Sequence, residues 1–351
     1  MKQFLLTILF TFVLVNASKA QQVTHIVHAN EYLQRQVNSI LSHNIKGLNA
    51  INGQVIIMDC KSGEIKAMVN LMNTKSGIKP AIRQLSEPTA LMRTVSLLAA
   101  LAQGKVKPND CIDTKEGMID ISGYLLEDYN WRRGGNGKIS VQQGFLLSSN
   151  IATYLTVKQA FGKAYDRFYK TIINMGYGLP QDSIKEILPI PNDDISFAKF
   201  VNGKNQQITP LQILTFYNAI ANNGKMVKPT FHKRDTTIIK EQLASKENIA
   251  IIQQLLVQKV KYGLAHQAYS NKVSIAGEQG AVAAKDDRDN TVYCLQFCGY
   301  YPSDNPQYSI IVSLNKKGLP ASGGMAGEIA KQIVNKYNKM IKIYGKIQLF
   351  N

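Results

Sequence analysis

Strand-forming runs lie at the two ends of this chain, and helix-forming runs fill its middle. Gly53 to Asp59 (GQVIIMD) is a near-continuous apolar run, Lys61-Ser62-Gly63-Glu64 reads as a hairpin turn, and Ile65 to Asn70 returns. The next strand signals come only in the last third, at Lys272 to Ala276, Tyr293 to Tyr300 and Tyr308 to Leu314. Between them, apolar residues recur at helical spacing from Pro88 to Ala102, Val141 to Ala160, Tyr165 to Met175, Leu211 to Asn222 and Glu247 to Val260. Helices are also expected at Glu31 to Leu41 and from Met325 to Tyr344, and a loop at Asn73 to Ser86. Such a chain must pair its termini into one sheet, which makes it a mixed α/β protein.

Local chemistry sharpens some of these boundaries. Proline suits the first helical turn, where its missing N–H has no partner to lose, so Pro88 opens one helix. Thr209-Pro210 reads as an N-cap followed by the first helical residue. The polar Ser148-Ser149-Asn150 inside an apolar helical region marks a helix–loop–helix junction.

The first twenty residues read as an export signal, with Lys2, the apolar run Phe4 to Val15, and small residues in Ala17-Ser18-Lys19-Ala20. The apolar run is short for a bilayer span. Cleavage after Ala20 is expected, leaving one domain at 21–351 in the periplasm; an uncleaved membrane anchor is the alternative. Losing Lys2 and Lys19 lowers the net charge from +17 to +15. In an exported protein that favours peripheral association with acidic envelope surfaces, and export argues against nucleic acid. The four cysteines, Cys60, Cys111, Cys294 and Cys298, lack metal-type spacing and are expected as buried free thiols, although export permits disulfides. Cys294 and Cys298, four apart on one strand, are too distant to bridge each other.

Several stretches resemble, in order, the transpeptidase domain of penicillin-binding proteins of the cell-division type. Val55 to Met68 (VIIMDCKSGEIKAM) is similar to its opening hairpin, and Glu87-Pro88 with the following helix to its nucleophile helix. Gly104 to Thr114, Leu147 to Asn150, Ile208 to Lys225, Phe297 to Tyr308 and Gly323-Gly324 match further segments. The resemblance implies an antiparallel sheet flanked by helices, a mostly helical subdomain, and a cleft between them. It covers nearly all of the expected mature chain, and no separate amino-terminal pedestal is expected.

The family's reaction is acyl transfer on the D-alanyl-D-alanine ends of peptidoglycan stems. It uses a serine and, one helical turn later, a lysine that takes its proton. A Ser-x-Asn lines the opposite wall, a Lys-Thr-Gly strand grips the substrate carboxylate, and two backbone N–H groups hold the oxyanion. Glu87-Pro88 sets the register here, and it places Ala90 at the serine position and Arg93 at the lysine position. Alanine carries no nucleophile, and arginine stays protonated and cannot act as a base. Ser148 and Asn150 keep the second motif, either as a cleft wall or as a folding element.

The third motif reads Glu278-Gln279-Gly280-Ala281, so an acid stands where a lysine would attract the carboxylate. At ~4 Å and an effective dielectric near ~20, that reversal would cost up to roughly 8 kcal/mol. Arg93 and Glu278 are expected to pair across the cleft. Gly280 and Ala281 could still offer N–H groups. Ser-x-x-Lys recurs at Ser76/Lys79, Ser196/Lys199 and Ser313/Lys316, none of which opens an apolar helix. Thr89 and Thr94 flank the lost serine without a base at the right spacing.

Three functions therefore compete. The first is a non-catalytic envelope protein that binds peptidoglycan or division partners. The second is an active transpeptidase, carboxypeptidase or β-lactamase with rewired residues. The third is a binder of another ligand in the old cleft. None of them requires a metal or a cofactor.

Overall fold

The computed structural model describes residues 31–74, 77–80, 85–179, 188–231, 236–285 and 289–347. The expected export signal and Ser76 lie outside them. In chain order the elements are α1 (Glu31–Gly47), β1 (Ala50–Asp59), β2 (Ile65–Thr74), β3 (Gly77–Pro80), a 3-10 turn (Thr89–Leu91) running into α2 (Met92–Ala102), β4 (Cys111–Asp113), β5 (Met118–Ile121), β6 (Tyr124–Glu127) and β7 (Lys138–Ser140). Then follow α3 (Val141–Leu146), α4 (Asn150–Phe161), α5 (Tyr165–Asn174), α6 (Asp194–Val201), α7 (Pro210–Ala221), β8 (Met226–Val227), β9 (Ile238–Lys240), α8 (Lys246–Tyr262), β10 (Ala276–Lys285), β11 (Thr291–Tyr301), β12 (Tyr308–Lys317) and α9 (Gly323–Ile347).

The main sheet has six strands in the order β10-β11-β12-β1-β2-β3, antiparallel throughout. The two ends of the chain meet where β1 pairs with β12, with Val55 opposite Val312 and Ile56 opposite Ile311. Because side chains alternate across a strand, β1 serves two cores at once. Val55 and Ile57 face α1 and α9, whose Leu33, Val37, Leu41, Ile45, Ile329 and Ile333 share that core. Ile56 and Met58 belong to the larger core formed with α2, α7 and the helical subdomain. Burial on both faces explains why β1 reads as an unbroken apolar run. The β1–β2 turn is fixed by Asp59, whose Oδ1 accepts from the N–H groups of Lys61 (3.0 Å) and Ser62 (2.8 Å).

Thr209 caps α7 as its sequence predicts, accepting from Gln212 N while the Gln212 side chain returns to Thr209 N, with Pro210 at the first helical position. The Ser148-Ser149-Asn150 break separates α3 from α4, and Ser149 caps α4 by accepting from Ala152 N. Three expectations need correction. The segment 73–86 is not all loop, because Gly77–Pro80 adds an edge strand to β2. The strand expected at Lys272 begins only at Ala276 and runs to Lys285, which puts the whole third motif on the end strand of the sheet. Cys111 is exposed on β4, whereas the other three cysteines are buried, and all four are free thiols. Among the described residues no helix is long and apolar enough to cross a membrane.

Candidate active-site cleft

The cleft lies between β10 and the helical subdomain and encloses about 710 Å³. One wall is the outer edge of β10, residues 279–283. The other carries Ala90 and Arg93 from the 3-10 turn and α2, Ser148 and Asn150 from the α3–α4 junction, and Glu127, Asp128 and Tyr129 from the end of β6 and just beyond it.

The turn before α2 holds an unusual backbone. Thr89 has φ of +54°, in the left-handed region. That region is rare for a β-branched residue and costs on the order of 1–3 kcal/mol. The strain is held from two sides. A Cβ on Gly203 would meet Thr89 O at 2.0 Å, and one on Gly280 would meet Ala90 N at 2.6 Å. Only glycine permits backbone this close, so Gly203, in the turn after α6, and Gly280 of β10 clamp the elbow. Inside the clamp, Thr89 Oγ1 donates to Gln296 Oε1 (3.2 Å), and Gln296 Nε2 donates to Ser86 Oγ (3.1 Å). The result is a sharp, over-determined elbow that presents residue 90 to the strand edge. Residue 90 is alanine, so the elbow presents a methyl group.

Arg93 follows one turn later. It is 8% exposed and lines the cleft floor. Its Nη2 donates to Asn150 Oδ1 (2.6 Å), and Asn150 Nδ2 donates to Glu127 O (2.7 Å). Burial lowers the Arg93 pKa from its usual value, while the Glu278 and Asp128 carboxylates oppose that shift. A guanidinium still remains a cation at any working pH. Ser148 lines the same floor from a left-handed conformation, φ +53°. Its neighbour Ser149 points away and donates to Asp128 Oδ2 (2.7 Å).

Glu278 does not stand in the cleft. It is fully buried behind β10, and its carboxylate is taken by Lys259 of α8. The expected Arg93–Glu278 pair is therefore not formed. Lys259 Nζ also donates to Phe145 O (2.5 Å) and lies 4.2 Å from the centre of the Phe145 ring. Glu278 Oε1 in turn accepts from Gln279 N (2.9 Å). The acid is thus paired internally with Lys259, and its carboxylate is not presented to the cleft as the repelling group the sequence suggested. Burial, reinforced by Arg93, pulls the Lys259 pKa down to about 8 against the opposing pull of Glu278.

Gln279, Gly280 and Ala281 do line the cleft. The Gln279 side chain is turned aside, its Nε2 donating to Leu264 O (2.5 Å) and Gln267 Oε1 (3.1 Å).

The flanking threonines are occupied: Thr89 by Gln296, and Thr94 by the Tyr217 hydroxyl 2.7 Å away. Ser196 completes the capping box of α6, accepting from Asp193 N, and Ser313 lies on β12, so neither reaches the cleft. Among the described residues no cluster of His, Cys, Asp and Glu could hold a metal. Sequence reasoning missed Lys259, yet a signal was present. Ile252, Leu255, Leu256 and Lys259 fall at one-turn intervals on the buried stripe of α8, so a lysine occupies an apolar position.

Comparison with known proteins agrees with this geometry. The Penicillin binding protein transpeptidase domain profile matches residues 53–335. Penicillin-binding protein PbpB of Mycolicibacterium smegmatis is 25% identical over 335 residues, covering 82% of this chain and 51% of the relative. Peptidoglycan D,D-transpeptidase FtsI of Buchnera aphidicola is 23% identical, covering 94% of this chain and 60% of the relative. The chain thus spans between about half and three fifths of these relatives' length. In fold it is similar to the transpeptidase domain of penicillin-binding protein 3 from Burkholderia pseudomallei, with a TM-score of 0.76 at 20% identity over 89% of this chain and 95% of that one. The profile match takes in both ends of the sheet and both walls of the cleft, and the chain belongs to the penicillin-binding protein transpeptidase domain family.

Proposed function

We propose that this chain is a non-catalytic member of its family, exported to the cell envelope, where it binds peptidoglycan or the proteins that build it. One observation carries the reading: the elbow that would present a nucleophile to the strand edge presents the methyl group of Ala90, with the permanent cation Arg93 where a proton acceptor is needed. Acyl transfer needs a hydroxyl or thiol and a base within reach of it. Neither position supplies one, and Thr89 and Thr94 are engaged elsewhere. Removing a nucleophile from such a unit costs roughly a million-fold in the subtilisin example.

The +15 charge of the mature chain favours acidic polymers and lipids of the envelope, which suits a peripheral role there. Cleavage after Ala20 is part of the same proposal. Intact-mass spectrometry of residues 21–351 after incubation with excess penicillin tests the reading. No mass gain is the expected result. A gain of one penicillin would instead establish an active, rewired enzyme, and the modified peptide would identify its nucleophile.

A further inference from the structure

Two cations line the cleft, the exposed Lys204 and the buried Arg93, and it is the buried one whose unspent hydrogen-bonding capacity is costly. Arg93 offers five N–H donors in a planar fork. Among the described residues it makes one hydrogen bond, to Asn150 Oδ1, and its Nε is buried without a partner. It makes no ion pair among the described residues. The two acids that act on it electrostatically are Glu278 and Asp128. Glu278 is held by Lys259. Asp128 accepts from Ser149 Oγ (2.7 Å), Ile151 N (3.1 Å) and, at 3.4 Å, Asn136 Nδ2.

An arginine nine-tenths buried with an orphaned N–H is costly, because the bond it made to water is not replaced. A buried cation that lines a cleft without an ion pair among the described residues calls for a counter-charge, and an external anion is one. The ligand's chemistry follows from the fork, which matches the two oxygens of a carboxylate better than any lysine can. It follows also from the wall opposite, the outer edge of an end strand, which can pair with an extended peptide. Gly280, without a side chain, lets the elbow of Thr89 and Ala90 abut the strand, so Arg93, one turn on, faces the same cleft as that edge.

Building on the non-catalytic reading above, we propose that Arg93 is the carboxylate-binding residue of this cleft, taking the free C-terminal carboxylate of a peptide laid along the edge of β10. Carboxylate recognition has then moved from the strand to the helix. The strand position holds an internally neutralised acid, and the helix position, freed from base chemistry, holds the clamp.

Calorimetric titration of the mature chain with N-acetyl-D-alanyl-D-alanine and with the same dipeptide as its C-terminal amide tests this. The wild type should bind the acid at least tenfold more tightly than the amide. Arg93→Met should abolish that preference while leaving amide affinity within about twofold. Arg93→Gln serves the same purpose if the methionine variant does not fold. Arg93→Lys should retain part of the preference, because it keeps a point charge without the fork. Equal binding of acid and amide, or a preference that survives Arg93→Met, overturns the proposal. Sedimentation with purified peptidoglycan without any dipeptide binding also overturns it, and leaves the non-catalytic reading standing. Acylation by penicillin would defeat that reading whatever the dipeptides do.

Discussion

Two buried cations flank β10, and they are treated in opposite ways. Lys259 is fully satisfied: a carboxylate, a backbone carbonyl and an aromatic face all receive its ammonium group. Among the described residues Arg93 has one neutral partner and an orphaned Nε. Both are charges taken out of water at a cost of several kcal/mol. The first has its hydrogen bonds met within the fold, although burial still outweighs Glu278 and holds its pKa down, and the second does not. A satisfied buried charge describes architecture, whereas an unsatisfied one at a cleft points toward something outside the chain.

The sharpest way to break this contrast is to remove one member of the satisfied pair. Lys259→Met should destabilise the fold by about 3–5 kcal/mol in urea denaturation, because it strands the Glu278 carboxylate. Glu278→Gln should act in the same direction. The double variant Lys259→Met/Glu278→Leu should return to within about 1 kcal/mol of the wild type, since a buried pair replaced by apolar groups is often neutral. A loss under about 1 kcal/mol for Lys259→Met would show the pair contributes little, and the contrast would fail.

Alkaline titration sharpens it further. The folded-state pKa of Lys259 is depressed to about 8 from 10.5, so between those values the unfolded chain holds this proton more firmly than the folded one. Stability contributed through this group therefore rises with pH across that window. The Lys259→Met/Glu278→Leu variant should lack that rise when unfolding is measured from pH 8 to 10.

The smallest effect is expected at Arg93. Arg93→Met removes an under-partnered guanidinium, so its cost should stay within about 1 kcal/mol, roughly that of one net hydrogen bond to Asn150. A loss as large as that of Lys259→Met would mean that Arg93 is a structural cation after all.

The features that could be read in the sequence were those carried by local pattern. The apolar run of β1, the Thr209-Pro210 cap and the Glu87-Pro88 register each lie within a few residues, and each yields an element or a position. The partner of Glu278 did not emerge, because Lys259 comes from another element and meets it only when α8 packs against β10. The sign change at position 278 was visible, but the direction of its side chain was not. That direction decided whether the charge repels a ligand or neutralises a lysine. The start of β10 and the short β3 were missed for a related reason, since both are edge features set by pairing more than by residue preference.

The joining of β1 to β12 also governs the order in which the molecule can assemble. Ile56 finds Ile311 only after nearly the whole chain is available. Loop-closure entropy must be met before that contact gives anything back, so the centre of the sheet closes late. Until then the run Val55-Ile56-Ile57-Met58 lacks β12 on one side and offers an apolar strand edge to any neighbouring chain. A nascent or truncated form ending before Tyr308 has no partner for that edge, so a shielding chaperone or rapid completion of the chain would decide between folding and aggregation.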